Sequence, residues 1–541
     1  MSAPSWGPPV AAGPTRDVRD IVTLAARACA RDPEVPAIVF EDGATITRGE
    51  LRLAVESFGG WLSERIEPGD RVAIMLENRI EFMVAWLATA AAGGVLVSVN
   101  HGSGEHDAGH VLRDSGAVVA IAGESTRALV ERLQPSCPQL AHVVTVGDCE
   151  PHGLALYKGA EPLDLDAASV DPSAVTNVYY TSGTTGPPKG CMLAHDYWLR
   201  FVDLYQRLYG LRREDRLLCC LQFFYGDPPW MMLLSLHAGT TLVAMRRFSV
   251  SRFWNVVRSN RVTQLFAVAS IPSLLLKAPP DPRDCDHEMR FALQIGVPAN
   301  LHAAMNERWG FPWVEGYGLT ETGLVIGMPL AEERGMTGSG SIGVPCPETE
   351  VRLIDEGGAE VPTGESGEIT LRAPGLMRGY LGRPEATAET MRDGWLHTGD
   401  LARADERGFL FFQGRRKDII RRGGENIAAS EVEEVIRAHP SVEEVAVVPV
   451  PDDLHGEEVK AHVALVEGTS LSAGEIVAYC SGRLARHKLP RYVELRDRPF
   501  PRTPSMRVRK GELIAEDPDP AGSSWDRERE LDPHSPEETK A

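Results

Sequence analysis

Short apolar runs bounded by glycine and charge alternate with stretches of helical spacing along most of the chain. Arg71–Met75 is such a run, opening after Gly69-Asp70, and its length predicts a buried strand. Residues 81–92 place apolar side chains at helical intervals and lead through Gly93-Gly94 into a second strand at 95–99. The pattern recurs with strands expected at 118–122, 175–179, 242–244 and 263–267. Strand–helix alternation of this kind predicts parallel sheets covered by helices. From about Ile342 the texture shifts to short β-rich segments at 351–355, 367–372 and 409–413. A compact end unit follows, with helix 430–438, strands 442–450 and 458–465, and helix 473–483. The fold class is therefore α/β: a large N-terminal domain (17–415) of parallel sheets plus a β-rich subdomain, then a small α+β C-terminal domain (416–514). No internal repeat is present. Residues 1–16 are rich in Pro, Ala and Gly, and 515–541 are acidic and prolyl with few aliphatics; both ends are expected to be disordered.

Composition narrows the function classes. Of 541 residues, 43% are apolar and 24% charged, ordinary for a globular chain with a large core. Lys plus Arg total 56 against 76 Asp plus Glu, a net charge of −20 that repels a phosphate backbone and argues against a nucleic-acid partner. The 9 cysteines include no Cys-x-x-Cys pair, which offers no zinc site and fits free thiols in a reducing, cytoplasmic setting. The N-terminus lacks the basic start and apolar core of a signal peptide. No window approaches the roughly 18 apolar residues of a membrane span. A monomer or homodimer acting on small molecules is expected.

The densest chemistry lies in Tyr180-Thr-Ser-Gly-Thr-Thr-Gly-Pro-Pro-Lys-Gly190. Thr181, Ser182, Thr184 and Thr185 bring hydroxyls, Gly183 exposes backbone N–H groups, and Lys189 adds a mobile cation. Together these suit a polyphosphate. A flexible linker fits poorly, because the segment follows a strand. It is no Walker A loop, since Pro188 stands directly before Lys189. Gly338-Ser-Gly340-Ser-Ile-Gly343 matches a dinucleotide fingerprint, yet Val344-Pro-Cys-Pro347 cannot open the required helix; a turn is expected. No G-x-S-x-G elbow supports a serine hydrolase. His101, His106 and His110 with Asp107 suit no standard zinc spacing and read as a solvated loop.

Three further segments complete a set: Tyr317-Gly-Leu-Thr-Glu321-Thr, Gly394-Trp-Leu-His-Thr-Gly-Asp400, and Gly414-Arg-Arg-Lys-Asp-Ile-Ile420 followed by Gly423-Gly-Glu-Asn-Ile427. With the phosphate loop they resemble the adenylate-forming superfamily of acyl-CoA synthetases, adenylation domains and luciferases. The resemblance runs from about residue 20 to Leu513 and looks closest to the crotonobetaine/carnitine-CoA ligase-like branch. It implies ATP, Mg²⁺ and CoA as cofactors, and adenylation of a carboxylic acid followed by transfer to a thiol. Both reactants of the first step are anionic, so neutralising charge around the α-phosphorus is the main catalytic task.

The resemblance assigns roles. Thr181, Ser182, Gly183, Thr184, Thr185 and Lys189 would hold the β- and γ-phosphates. Glu321 would ligate Mg²⁺, Thr320 would touch the α-phosphate, and Gly296, Tyr317 and Gly318 would flank the adenine. Asp400 would accept the ribose hydroxyls with help from Arg415. Lys417 would be the hinge of a mobile C-terminal domain, and Gly423 and Gly424 would border the CoA channel. The chain also departs from the pattern. Arg507 stands where relatives carry the catalytic lysine, a planar fork in place of a compact ammonium, and Lys510 is the alternative cation. Gln294 and Ile295 would narrow the acyl pocket toward a small or polar acid. Phe224 and Tyr225 would gate it, and the Asp227-Pro-Pro-Trp230 run after them is unusual. Three readings stay open: an acid–CoA ligase; an adenylating enzyme with another acceptor such as a carrier thiol, an amine or nitrite chemistry; and a non-catalytic nucleotide-binding relative.

Overall fold

The computed structural model describes residues 18–147, 160–168, 170–181, 188–268, 271–423, 425–452, 454–502, 508–517, 522 and 524–528. Strand and helix alternate as the apolar pattern dictates, and the described strands form three sheets. One sheet carries the strands Val119–Gly123, Arg71–Met75, Val95–Ser98 and Val175–Thr181 in parallel register. Helix Ile80–Ala91 packs across it and is buried on every side, as its mostly apolar composition requires, with Glu81 paired to Arg79 at its start. Within it the indole of Trp86 donates to Asn177 Oδ1 at 3.1 Å, so the one polar atom of that side chain is satisfied.

A second, larger sheet has a parallel core of Pro36–Phe40, Thr241–Ala244, Arg216–Cys219, Gln264–Val268, Phe291–Ile295 and Trp313–Leu319. Beyond Trp313–Leu319 it turns antiparallel through Gly323–Gly327 and Ser341–Pro345 into the β-rich segments 350–415. The fingerprint-like glycines are therefore a turn only at 338–340, and Gly343 belongs to a strand. A Cβ there would lie 2.1 Å from the carbonyl carbon of Gly327, so close strand packing explains that glycine.

The third sheet is the C-terminal domain, built on the hairpin Val442–Asp452 and Gly456–Leu465. Two expectations are corrected here. Helix Ala473–Cys480 stops three residues earlier than its spacing suggests. The acidic tail is not wholly unstructured: Trp525–Asp526 adds an antiparallel strand to Tyr492–Leu495. Opposite charges draw that tail in. Arg491 lies 3.4 Å from Asp526, and Lys460, almost fully buried, pairs with Asp517 and with Glu494 at 3.1 Å. Of the three histidines only His101 lies outside regular structure, in a turn. His106 and His110 ride on helix Glu105–Ser115, with Gly116 in the left-handed region as its stop. Among the described residues no helix is long and apolar enough to cross a membrane, and no cysteine forms a disulfide.

Candidate active site

Parallel sheets leave their ligand crevice at the carboxyl ends of the strands, and Val175–Thr181 and Trp313–Leu319 carry Thr181, Thr320 and Glu321 there. Val175–Thr181 runs into the phosphate loop and returns as Lys189–Ala194, with Thr181 paired to Lys189 across the hairpin. Ser182, Gly183, Thr184 and Thr185 lie outside the described residues. His110 reaches this hairpin from its helix, its Nε2 3.0 Å from the carbonyl of Pro188, a contact the sequence reading missed.

Lys189, Glu321 and Tyr380 converge from three distant segments. The Tyr380 hydroxyl donates to Glu321 Oε1 at 2.8 Å. The Lys189 ammonium stands 5.3 Å from the centre of the Tyr380 ring, a cation–π distance. Burial and the neighbouring Glu321 charge together hold the Tyr380 phenol above its ordinary range, so it remains a donor. Glu321 is fixed through its backbone as well, because its carbonyl accepts from Met377 N–H at 2.9 Å. Thr320 beside it is partly exposed. Gly318 precedes them where a Cβ would lie 2.2 Å from the Gly323 carbonyl oxygen, so only glycine lets this turn close.

The second cluster surrounds Asp400, which is 2% exposed. Its strand, Trp395–Ala404, pairs with Leu410–Arg415 so that Asp400 faces Arg415 in register. Arg415 Nε lies 3.2 Å from Oδ1, and the Tyr317 hydroxyl donates to Oδ2 at 2.7 Å. Burial, with Asp400 adding its charge, keeps the Tyr317 phenol far above its usual value. Tyr317 thus links the expected adenine position to the expected ribose position. Glu368, missed in the sequence, braces the cluster: it accepts from Gly399 N–H at 3.0 Å and lies 3.4 Å from Arg416. Its signal was absent because its partners are 31 and 48 positions away.

Gly296 has φ of +83° and ends strand Phe291–Ile295. Glu315 on the adjacent strand holds this turn, accepting from Gly296 N–H at 2.8 Å, from Gly316 N–H at 3.1 Å and from Val297 N–H. Burial pushes its carboxyl up to about 8 against the pull of those donors. Gln294 has no exposed surface, and its amide donates to the Ile295 carbonyl at 3.2 Å. It is therefore enclosed and reaches no solvent-open space, while Ile295 beside it keeps some exposure. Phe224 and Tyr225 are partly exposed, their ring centres 4.4 Å apart. Ser98 donates to the Phe224 carbonyl at 2.8 Å, tying this loop to the first sheet.

Lys510 does not join either cluster. Glu433 holds its ammonium at 2.7 Å, and Asp418, next to Lys417, lies 4.0 Å away. Arg507 and Gly424 lie outside the described residues. Gly423 donates its N–H to the His455 carbonyl at 2.8 Å. Asp452, His455 and Glu458 gather behind it with metal-like spacing. Arg491 at 2.9 Å from Asp452 and Arg422 at 2.6 Å from Glu458 already neutralise those carboxylates, so the group is a structural brace.

A lysine and a carboxylate that share one tyrosine, and a buried aspartate held by an arginine and a second tyrosine, suit a nucleotide site. The comparisons agree. Residues 25–381 match the AMP-binding enzyme family, and 431–507 match the AMP-binding enzyme C-terminal domain. The chain belongs to the AMP-binding enzyme family. It is 36% identical over 481 residues to feruloyl-CoA synthase of Amycolatopsis sp, spanning 87% of this chain and 94% of that relative. It is 32% identical over 460 residues to crotonobetaine/carnitine–CoA ligase of Escherichia coli O7:K1, spanning 82% and 88%. Among solved structures, o-succinylbenzoate CoA synthetase from Bacillus subtilis, holding its acyl-adenylate intermediate, superposes with a TM-score of 0.80 at 29% identity, covering 91% of this chain and 97% of that one. The chain is an AMP-forming acid–CoA ligase of mixed α/β fold that uses ATP to activate an acid for transfer to CoA.

Proposed function

We propose that the protein adenylates a small or polar carboxylic acid and passes the acyl group to the thiol of CoA, with Lys189, Glu321, Asp400 and Arg507 as its working charges. The convergence of Lys189 and Glu321 on Tyr380, with the Asp400–Tyr317–Arg415 cluster as the second group, carries this reading. Asp400 and Arg415 bind the ribose, and Lys189 draws the terminal phosphates toward the cleft. A carboxylate oxygen of the acid then attacks the α-phosphorus, and pyrophosphate leaves as the acyl–phosphate bond forms.

Glu321 fits Mg²⁺: its carboxylate is partly exposed, and Tyr380 donates to Oε1 of that carboxylate. One or two such oxygens, with waters, are what this ion asks of a protein. When bound, Mg²⁺ offsets charge on the phosphates. Arg507 supplies the cation between α-phosphate and acyl oxygen, since the Glu433 pair holds Lys510 elsewhere. In the second step Gly423 borders the path of the incoming thiol, and the C-terminal domain turns about Lys417.

Pyrophosphate exchange across a panel of acids, with thioester detection by mass after adding CoA, tests the reading. Exchange with short or polar acids and a CoA thioester are expected; equal exchange with palmitate refutes the small-pocket assignment. Arg507→Ala should abolish exchange and Lys510→Ala should leave it within about twofold, since an ion pair of that exposure contributes little.

A further inference from the structure

Helix Glu105–Ser115 stands beside the phosphate hairpin and grips both of its stems. His110 and Asp114 are four positions apart, so they lie one above the other on a single face of that helix. The Tyr180 hydroxyl donates to Asp114 Oδ2 at 2.9 Å, near the end of the strand Val175–Thr181 that leads into the loop. His110 meets the return stem. The Pro188 carbonyl can only accept, so the imidazole Nε2–H is the donor in the 3.0 Å bond between them. The His110 ring also meets the Tyr180 ring edge-on, with centres 5.9 Å apart. Asp114 reaches further: its Oδ1 pairs with Arg383, three residues beyond Tyr380, whose hydroxyl holds Glu321. One turn of helix thus contacts the chain before the loop, the chain after it, and the segment that holds Glu321.

These contacts bear on Lys189. The ladder of the hairpin runs to the Thr181–Lys189 pair. One residue further out, Pro188 has no N–H to donate, and its carbonyl is taken by His110. A lysine side chain is a point charge on a flexible four-carbon stem, so where its ammonium settles depends on the backbone it springs from. The Tyr180 ring completes the seat by crossing Gly190, where a Cβ would lie 3.2 Å from its Cζ. On the opposite edge Leu381 N–H donates to the Gly190 carbonyl at 2.8 Å, which joins the Lys189 stem to the Tyr380 segment. The Asp400, Tyr317 and Arg415 cluster is built from other segments. The helix is therefore wired to the phosphate side of the site.

We infer that His110 and Asp114 are positioning residues for the triphosphate: acting through Pro188, Tyr180 and Arg383, they set Lys189 against Tyr380 and Glu321. The inference rests on the reading of this cleft as an ATP site and deepens it, because it assigns the phosphate-side geometry to a helix outside the nucleotide-binding motifs.

The test compares ATP with AMP, which keeps the adenine, ribose and α-phosphate but lacks the two phosphates assigned to Lys189. Binding of each, with Mg²⁺, to the full-length protein is measured by calorimetry, and KM for ATP and for the acid by pyrophosphate exchange. His110→Ala should weaken ATP about 3- to 10-fold, the size of one hydrogen bond, and leave AMP within about twofold. In exchange the loss should fall on KM for ATP and not on KM for the acid. His110→Gln, whose amide keeps an N–H donor, should recover most of the loss. Asp114→Ala releases both Tyr180 and Arg383 and should weaken ATP by about tenfold or more, with Asp114→Asn between it and wild type because one acceptor oxygen remains. His106, on the same helix with its side chain 96% exposed, is the control, and His106→Ala should bind both nucleotides as wild type does. Equal losses of ATP and AMP, or ATP binding unchanged in His110→Ala and Asp114→Ala, overturns the inference. Should wild type bind both nucleotides but exchange with no acid of the panel, the proposed substrate reading fails while the ratio of ATP to AMP affinity in the variants still decides the positioning role. Should wild type exchange normally with that ratio unchanged in the variants, the substrate reading stands and the positioning role fails. Melting temperature checks folding, and Asp114→Asn, which keeps the shape of the side chain, carries the same test where Asp114→Ala does not fold.

Discussion

In the nucleotide half of the cleft the charges named here meet partners within the chain: Asp400 has Arg415 and Tyr317, Glu321 has Tyr380, and Lys189 has the Tyr380 ring. The loop that carries Phe224 and Tyr225 is instead aromatic and apolar, and Asp227 at its end opens helix Asp227–Ala238 with an indole N–H from Trp230. The contrast follows from what each half must recognise. Every turnover brings the same triphosphate and ribose, so the receiving groups are preorganised by the protein itself. The acid is what distinguishes one such enzyme from another, and there the chain sets aromatic rings in place of ion pairs.

If the halves divide labour in this way, damage to the nucleotide half should slow every acid by a common factor. Lys189→Ala is the largest such lesion. Removing a preorganised cation from developing charge typically costs about 10²–10³ in kcat. Exchange rates measured across the acid panel should fall by that order with their ratios preserved. A change in the ratios would break the division, because it would mean that Lys189 also senses the acid.

Glu315 sits on the border and responds to pH. Its folded carboxyl lies near 8, above the roughly 4.3 of an unfolded glutamate. The folded state thus holds the proton more tightly. The associated stability is fully present below pH ~4.3 and is lost as pH rises through about 8, up to ~3 kcal/mol in all once partial relaxation is allowed. Glu315→Gln cannot ionise, so denaturant melts of the two proteins should diverge across that window, with wild type losing ground as pH rises. Parallel curves would show that the three backbone N–H donors keep Glu315 ionised throughout, placing it with the charged nucleotide half.

Much of this was legible in the sequence and some was not, for physical reasons. Strand Arg71–Met75 and helix Ile80–Ala91 follow from apolar runs, which depend on neighbouring residues alone. The placement of Lys189 near Glu321 followed only from motif resemblance, since 132 positions separate them. Gln294 read as a pocket residue because alternation gives a strand two faces and sequence does not say which one is open. His106 and His110 read as loop residues because polar composition masked a helix whose stop is a single glycine, Gly116. Tyr380, Glu368 and Glu315 carried no local signal; each matters through one long-range hydrogen bond or a few of them. The acidic tail read as unstructured from its charge, yet that same charge is what pairs it with Lys460 and Arg491.

The smallest expected effect tests how far the preorganisation reaches. Tyr380→Phe keeps the ring beneath Lys189 and deletes only the hydroxyl that donates to Glu321. A hydrogen bond to a charged acceptor at a partly exposed site contributes about 1–2 kcal/mol, so exchange should fall roughly 5- to 30-fold for every acid alike. The loss should appear mainly as a higher magnesium requirement, since Glu321 would be free to turn away from the metal position, and saturating Mg²⁺ should recover most of the rate. Recovery would show that Tyr380 aims a ligand. A deficit independent of Mg²⁺ would instead mean that the hydroxyl acts on the phosphates directly, making the nucleotide half one residue larger than its charged groups.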